Sequence, residues 1–402
     1  MRPLEVTGLG IVSPLGVGKE AFVEGLTRAG QGPCGFEGPA ETFDAAAYGG
    51  IRAAQVRGFD AKTWLGDKGL RNMDRLTALT VVATKLAAQD AGLRKDGHWL
   101  ALGPDRVGIC ASTAYGSFEA ITELDRVAML ENPRYLNPAK FPNTVINSAA
   151  GYASIWEDLQ ALNVTVSNGN PGGLDAVLCA DMHFACGRAE ALLVGGAEAL
   201  SEAIYVAFHQ LGALVPNGAP YLPGESAARG MLLGEGAAFA VLEPPGGARA
   251  RGAKAFAQIV GYGTAFEPPS SEVLIIHASS LATAQAARAA LEDASMSPEQ
   301  IDVVAASVSG YPALDAPELA ALAEVFGPDV CVAAPKALMG ETLGATGAMG
   351  MAAAIGWLGG VTPARIVRGR APRETRAVMV VALGFHGTAS AVVLRSCARG
   401  SA

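Results

Sequence analysis

The feature that most constrains this chain is a set of short apolar runs, bounded by glycine and lacking a polar face. Residues 4–12 (LEVTGLGIV), 106–113 (RVGICAST), 191–200 (ALLVGGAEAL) and 237–243 (AAFAVLE) form one series. Residues 301–310 (IDVVAASVSG), 330–334 (VCVAA), 378–384 (VMVVALG) and 388–394 (TASAVVL) form another. Strands apolar on both faces must be covered on both faces, as in a sheet that carries helices above and below. Alanine-rich helical patterns at 76–93 and 281–296 lie between the runs, so the spacing predicts a layered α/β fold.

The two series echo each other. AAQDAGL (87–93) precedes the run DRVGICA, and ALEDASM (290–296) precedes IDVVAAS. GEGAAFAVLE (234–243) and GFHGTASAVVL (384–394) match in place and pattern. One such match between alanine-rich segments arises easily by chance; several in the same order point to a duplication. The expected organisation is an N-terminal half over 1–250 and a C-terminal half over 251–402, meeting near PPGGARARGAKA (244–255). Strand–helix units stacked twice build five layers, α/β/α/β/α, with sites between the halves.

Composition narrows the function. Half of the 402 residues are hydrophobic and 17% are charged, which supports a large core and argues against disorder. A net charge of −8 leaves no basic footprint for nucleic acid. The six cysteines (Cys34, Cys110, Cys179, Cys186, Cys331 and Cys397) show no metal-binding spacing, so no metal or cofactor is expected and a reducing cytosol fits. Cys179 and Cys186, seven residues apart in a helical pattern, are expected to share a buried face. The longest apolar stretch, 349–361, is too short and glycine-rich to span a bilayer, so a cytoplasmic chain with no membrane partner is expected.

Three clusters resemble the β-ketoacyl synthase family of thiolase-fold condensing enzymes. In active members a cysteine in a strand-to-helix turn, S-x-x-C-x-x-G, becomes a thiolate and accepts the acyl chain. Two histidines then polarise the malonyl thioester carbonyl. The turn here is VSNGNPGGLDAV (166–177), with Asn170 at the nucleophile position. The first histidine loop reads ASVSGYPALDAPE (306–318), keeping Pro312, Asp315 and Glu318 but placing Ser307 where the histidine would stand. The second reads KALMGETLGATGA (336–348), keeping Lys336 and placing Glu341 at the histidine. The resemblance extends through VTGLGIVSPLG, NMDRLTALTVVA (72–83), FPNTVINSAAGYASI (141–155), GEGAAFAVLE and the closing GFHGTA, where His386 and Ala389 depart from the usual G-F-G-G-T-N.

The run NPGGLDA (170–176) is most similar to chain-length factors, which carry an amide, typically glutamine, at the nucleophile position. Asn170 is one methylene shorter. The resemblance implies a non-catalytic subunit that pairs with an active ketosynthase, receives substrates on acyl carrier protein, and limits product length in a type II polyketide system. It also implies that the helix in 115–130 reaches the partner's acyl tunnel, with Phe118, Ile121 and Asp125 near the gate.

Read residue by residue, Asn170 suits a helix cap before Pro171. Glu341 should pair with Lys336, because either charge buried alone is costly. Ser307 reads as a small polar filler, and His386 as a packed, hydrogen-bonded side chain. Two rivals stay open. One is a stand-alone malonyl decarboxylase or unusual acyltransferase using Asn170, Glu341 and His386; the other is a homodimer that binds acyl chains or carrier protein without chemistry.

Overall fold

The computed structural model describes residues 1–31, 36–49, 52–271 and 275–397. Cys34 lies outside them. Among the described residues, five principal strands come from the first half: β1 (Leu4–Ser13), β2 (Val107–Ser112), β3 (Asn163–Val166), β4 (Ala191–Glu198) and β5 (Gly236–Glu243). Six follow: β6 (Ala257–Phe266), β7 (Val303–Ala305), β8 (Cys331–Ala333), β9 (Ile366–Arg368), β10 (Ala377–Leu383) and β11 (Thr388–Ser396).

The first set runs β1-β5-β4-β2-β3, the two leading pairs antiparallel and the two trailing pairs parallel. The second runs β6-β11-β10-β7-β8 with the same alternation, and β9 adds an antiparallel edge beyond β8. One strand order is thus used twice. The sets meet where β1 and β6 pair antiparallel over Leu4–Val6 and Ala257–Ile259.

The principal helices are α1 (Arg75–Asp90), α2 (Phe118–Arg126), α3 (Gly172–Ala185), α4 (Ser280–Asp293), α5 (Pro312–Phe326) and α6 (Thr346–Leu358). α1 covers β1, β4 and β5; α4 covers β6 and β11, with α5 beside it. Both covering helices begin on a side-chain cap: Asp74 accepts from the Thr77 N–H and Ser279 from the Ala282 N–H. Each also sits on a Gly-x-Gly pair. A Cβ on Gly8 or Gly10 would lie 2.5 or 1.9 Å from a carbonyl of α1; on Gly261 or Gly263, 2.3 or 2.2 Å from one of α4. Only glycine permits so close an approach of helix to strand.

α3 and α6 fill the middle. α6 packs on β4 and β5 of one half and on β10 and β11 of the other. Residues Thr346–Trp357 are all buried, as a helix apolar all round requires. α3 crosses it where a Cβ on Gly173 would stand 2.7 Å from the Ala348 nitrogen. The layers therefore read α/β/α/β/α. Among the described residues no helix is long and apolar enough to cross a membrane.

Three of these principal strands, β3, β6 and β9, went unmarked in the sequence. β6 is broken by glycines, and β3 is only half-buried. The run 301–310 supplies just three strand residues and then becomes a loop.

Candidate functional site

The strand-to-helix turn after β3 delivers Asn170 to the interior, where it is 2% exposed. Gly169 takes φ +63°, and a Cβ on Gly172 would lie 2.3 Å from Ser112 Oγ, so the turn depends on glycine at both positions. Asn170 does not cap α3. That helix has no side-chain cap, and Asn170 Nδ2 instead donates to Glu341 Oε1 at 3.3 Å.

Glu341 is fully buried and is the hub. Its Oε1 also accepts from the Leu343 N–H at 2.9 Å and from Thr346 Oγ1 at 2.8 Å. Its Oε2 accepts from Lys336 Nζ at 2.6 Å, the ion pair that the cost of an unpaired buried charge requires. Lys336 Nζ also donates to Ser307 Oγ at 2.9 Å, which accepts in addition from the Leu383 N–H at 3.2 Å. Ser307 is thus a hydrogen-bonded link rather than filler. The three positions converge from separate elements and join through Lys336 into one chain, Asn170–Glu341–Lys336–Ser307.

Buried carboxyls brace this chain. Glu318, on α5, accepts from the Ser307 N–H at 2.6 Å, and burial pushes its carboxyl up to about 8. Asp315 accepts from the N–H groups of Ser309, Gly310 and Gly224, shaping the loop before α5. Glu198, at the end of β4, accepts from the Ala114, Tyr115 and Gly344 N–H groups and from Thr113 Oγ1; burial raises it to about 7. Sequence reasoning missed Glu198. The available signal was a lone carboxylate ending an apolar strand, since a buried charge needs donors.

The space beside these side chains is small. A cavity beside Lys336, Thr342, Thr346 and Met349 measures about 10 Å³, scarcely enough for one water. Asn170 supplies no thiolate, and Lys336 and Ser307 are committed to other groups. His386 lies in the loop that passes the turn, where a Cβ on Gly384 would be 3.5 Å from Pro171 Cδ. Its imidazole is exposed, not packed as the sequence suggests, and it takes no part in the Asn170–Ser307 chain.

On α2, Phe118 and Ile121 are half-buried and Asp125 is exposed. Phe118 packs near Tyr115, ring centroids 6.2 Å apart. The helix runs on into a π-helical turn, Val127–Glu131, whose Met129 and Leu130 are 84% and 78% exposed. Tyr135, Phe141, Val145, Ile146 and Ile155 are exposed further along the same segment, and β3 is the edge of the sheet. Cys186 follows the last turn of α3 and is exposed, while Cys179 is half-buried, so the shared buried face is not formed.

Comparison with known proteins gives one family. Residues 1–246 match the profile for the β-ketoacyl synthase N-terminal domain, and residues 256–362 that for its C-terminal domain. The chain is 32% identical over 417 residues to the tetracenomycin polyketide synthase ketoacyl synthase beta subunit of Streptomyces glaucescens, covering 98% of each. It is 31% identical over 362 residues to 3-oxoacyl-acyl-carrier-protein synthase 2 of Vibrio cholerae, covering 87% of this chain and 84% of that one. Among solved structures, the ishigamide ketosynthase/chain length factor aligns with a TM-score of 0.88 at 26% identity, covering 98% of this chain and 99% of that one.

Proposed function

The chain belongs to the β-ketoacyl synthase family, and from that premise we propose that it is the non-catalytic chain-length-factor subunit of a type II polyketide ketosynthase heterodimer. The observation that carries this reading is the buried chain Asn170–Glu341–Lys336–Ser307, an amide, a carboxylate and a hydroxyl where the motif resemblance would put the cysteine and two histidines. Condensation needs a nucleophile that accepts the acyl group and donors that stabilise charge on the malonyl carbonyl. Neither is supplied. The side chains at these positions satisfy one another instead.

The surface supports a partner. An exposed apolar segment from Met129 to Ile155 flanks the edge strand β3, and an uncovered edge beside large apolar side chains is what a stable chain normally hides. Two relatives add weight: the Streptomyces glaucescens protein is named a beta subunit, and the ishigamide structure a ketosynthase/chain length factor. In this reading α2 projects toward the partner's acyl tunnel, with Phe118, Ile121 and Asp125 setting the depth available. Substrates arrive on an acyl carrier protein loaded onto the partner, and this chain works in the cytoplasm. The stand-alone decarboxylase or acyltransferase reading needs His386 as an acid or base beside Asn170, and the exposed imidazole favours the non-catalytic one.

The test is reconstitution. Co-expression with a ketosynthase that retains the Cys-His-His set should give a one-to-one complex that extends malonyl units on carrier protein. The chain alone should neither condense nor become acylated, as intact-protein mass spectrometry would record. A monodisperse homodimer that extends or decarboxylates malonyl units without a partner would overturn the reading.

A further inference from the structure

One pair of side chains lies outside everything above. Cys110, in the middle of β2, is fully buried, and its thiol donates to the sulfur of Cys179 on α3 at 3.9 Å. Cys179 is half-buried, on a helix face where Met182 is exposed, while Cys110 lies wholly inside. The two are 69 residues apart in sequence and belong to different layers. From this juxtaposition we infer that Cys179 is a site of oxidation by hydroperoxides, with Cys110 as the thiol that resolves it into an internal disulfide.

The chemistry balances. The Cys179 thiolate attacks one peroxide oxygen and the O–O bond breaks. The departing hydroxide takes up a proton, leaving a sulfenic acid on Cys179. The Cys110 sulfur then attacks the Cys179 sulfur, the S–O bond breaks, and the leaving hydroxide carries off the Cys110 proton as water. Two thiols and one hydrogen peroxide thus give one disulfide and two waters. The hydrogen bond from the Cys110 thiol lowers Cys179 below the ordinary thiol range and favours its thiolate, while the same contact and burial raise Cys110, so Cys110 reacts from its thiol form. Closure needs the sulfurs to approach from 3.9 Å to roughly 2 Å, a side-chain adjustment on two adjoining elements. Cys186, exposed and without this partner, serves as the internal comparison.

The bond would tie α3, whose first turn follows Asn170, to the strand that leads into α2. The inference does not depend on the subunit role proposed above. The experiment treats the full-length chain with a slight excess of hydrogen peroxide at pH 7, blocks remaining thiols with iodoacetamide, and maps the peptides by mass spectrometry. The expected result is a cross-linked pair containing Cys110 and Cys179, lighter by two hydrogens and reversed by dithiothreitol, with a paired loss of two titratable thiols out of six. In Cys110→Ser, a dimedone adduct should accumulate on Cys179; in Cys179→Ser, the cross-link should vanish. The unmodified chain alone decides the matter should either variant fold poorly. Oxidation of Cys186 or Cys397 with Cys179 left as a thiol, or a Cys179 that oxidises without joining Cys110, would overturn the proposal.

Discussion

Glu341→Gln keeps the shape of the central side chain and removes its charge, so it isolates what the buried ion pair contributes. In the parent, Lys336 Nζ sits 2.6 Å from the carboxylate and 2.9 Å from Ser307 Oγ, with both charged groups almost wholly out of solvent. After substitution the lysine keeps only the hydroxyl and can face a second donor, the new amide. Removing one partner of a buried pair costs about 3–5 kcal/mol. A loss of about 3–5 kcal/mol is therefore expected from equilibrium urea unfolding. Lys336→Met combined with Glu341→Gln removes both charges at similar volume and should recover more than half of that loss. A Glu341→Gln chain within about 1 kcal/mol of the parent, or a double variant as costly as the two singles added, would refute the argument that this site is a structural strut.

Three further outcomes are expected. Asn170→Cys alone should not restore condensation, because Ser307 and Glu341 still cannot polarise a malonyl carbonyl; product analysis of the reconstituted complex checks it. Phe118→Ala or Ile121→Ala should lengthen the products of that complex and Asp125→Trp should shorten them, since each methylene in a pocket discriminates by roughly 1–3 kcal/mol; unchanged chain lengths at unchanged turnover would exclude α2 as the gate. For Glu318, burial raises the folded carboxyl from 4.5 to about 8, so the stability it contributes is complete below pH 4.5 and is lost as pH rises to about 8. Glu318→Gln should flatten that decline, by up to roughly 1.4 kcal/mol per pH unit, in unfolding curves taken between pH 5 and 8.

The repeated order of strands was legible because each half repeats its apolar runs in sequence, and the Lys336–Glu341 pair because either charge buried alone is costly. The duplication has a clearer mark than the alanine-rich helices: the Gly-x-Gly pairs at Gly8 and Gly10 and at Gly261 and Gly263 place each covering helix against its strand. That signal passes for punctuation until the helices are seen resting on it. The roles of Asn170 and Ser307 were misjudged for a common reason. A cap or a filler is a local idea, whereas both side chains answer partners 171 and 29 residues away. Exposure of His386 and Cys186 likewise depends on where a loop and a helix end, which periodicity does not fix.

The wholly buried helix α6 has a consequence for how the chain is made. Its residues leave the ribosome well after β5 is complete, yet they cover β4 and β5 of the first half. The first five strands are complete by Glu243, so the part of their inner face that α3 leaves open waits for the stretch ending at Leu358. At typical elongation speeds that interval is roughly 6–23 s, long compared with hydrophobic collapse. During it the nascent first half carries apolar strand surface, beyond what α1 and α3 cover, that its own unborn segment closes. Stopping synthesis between the halves should therefore leave a fragment that chaperones retain and that aggregates on release.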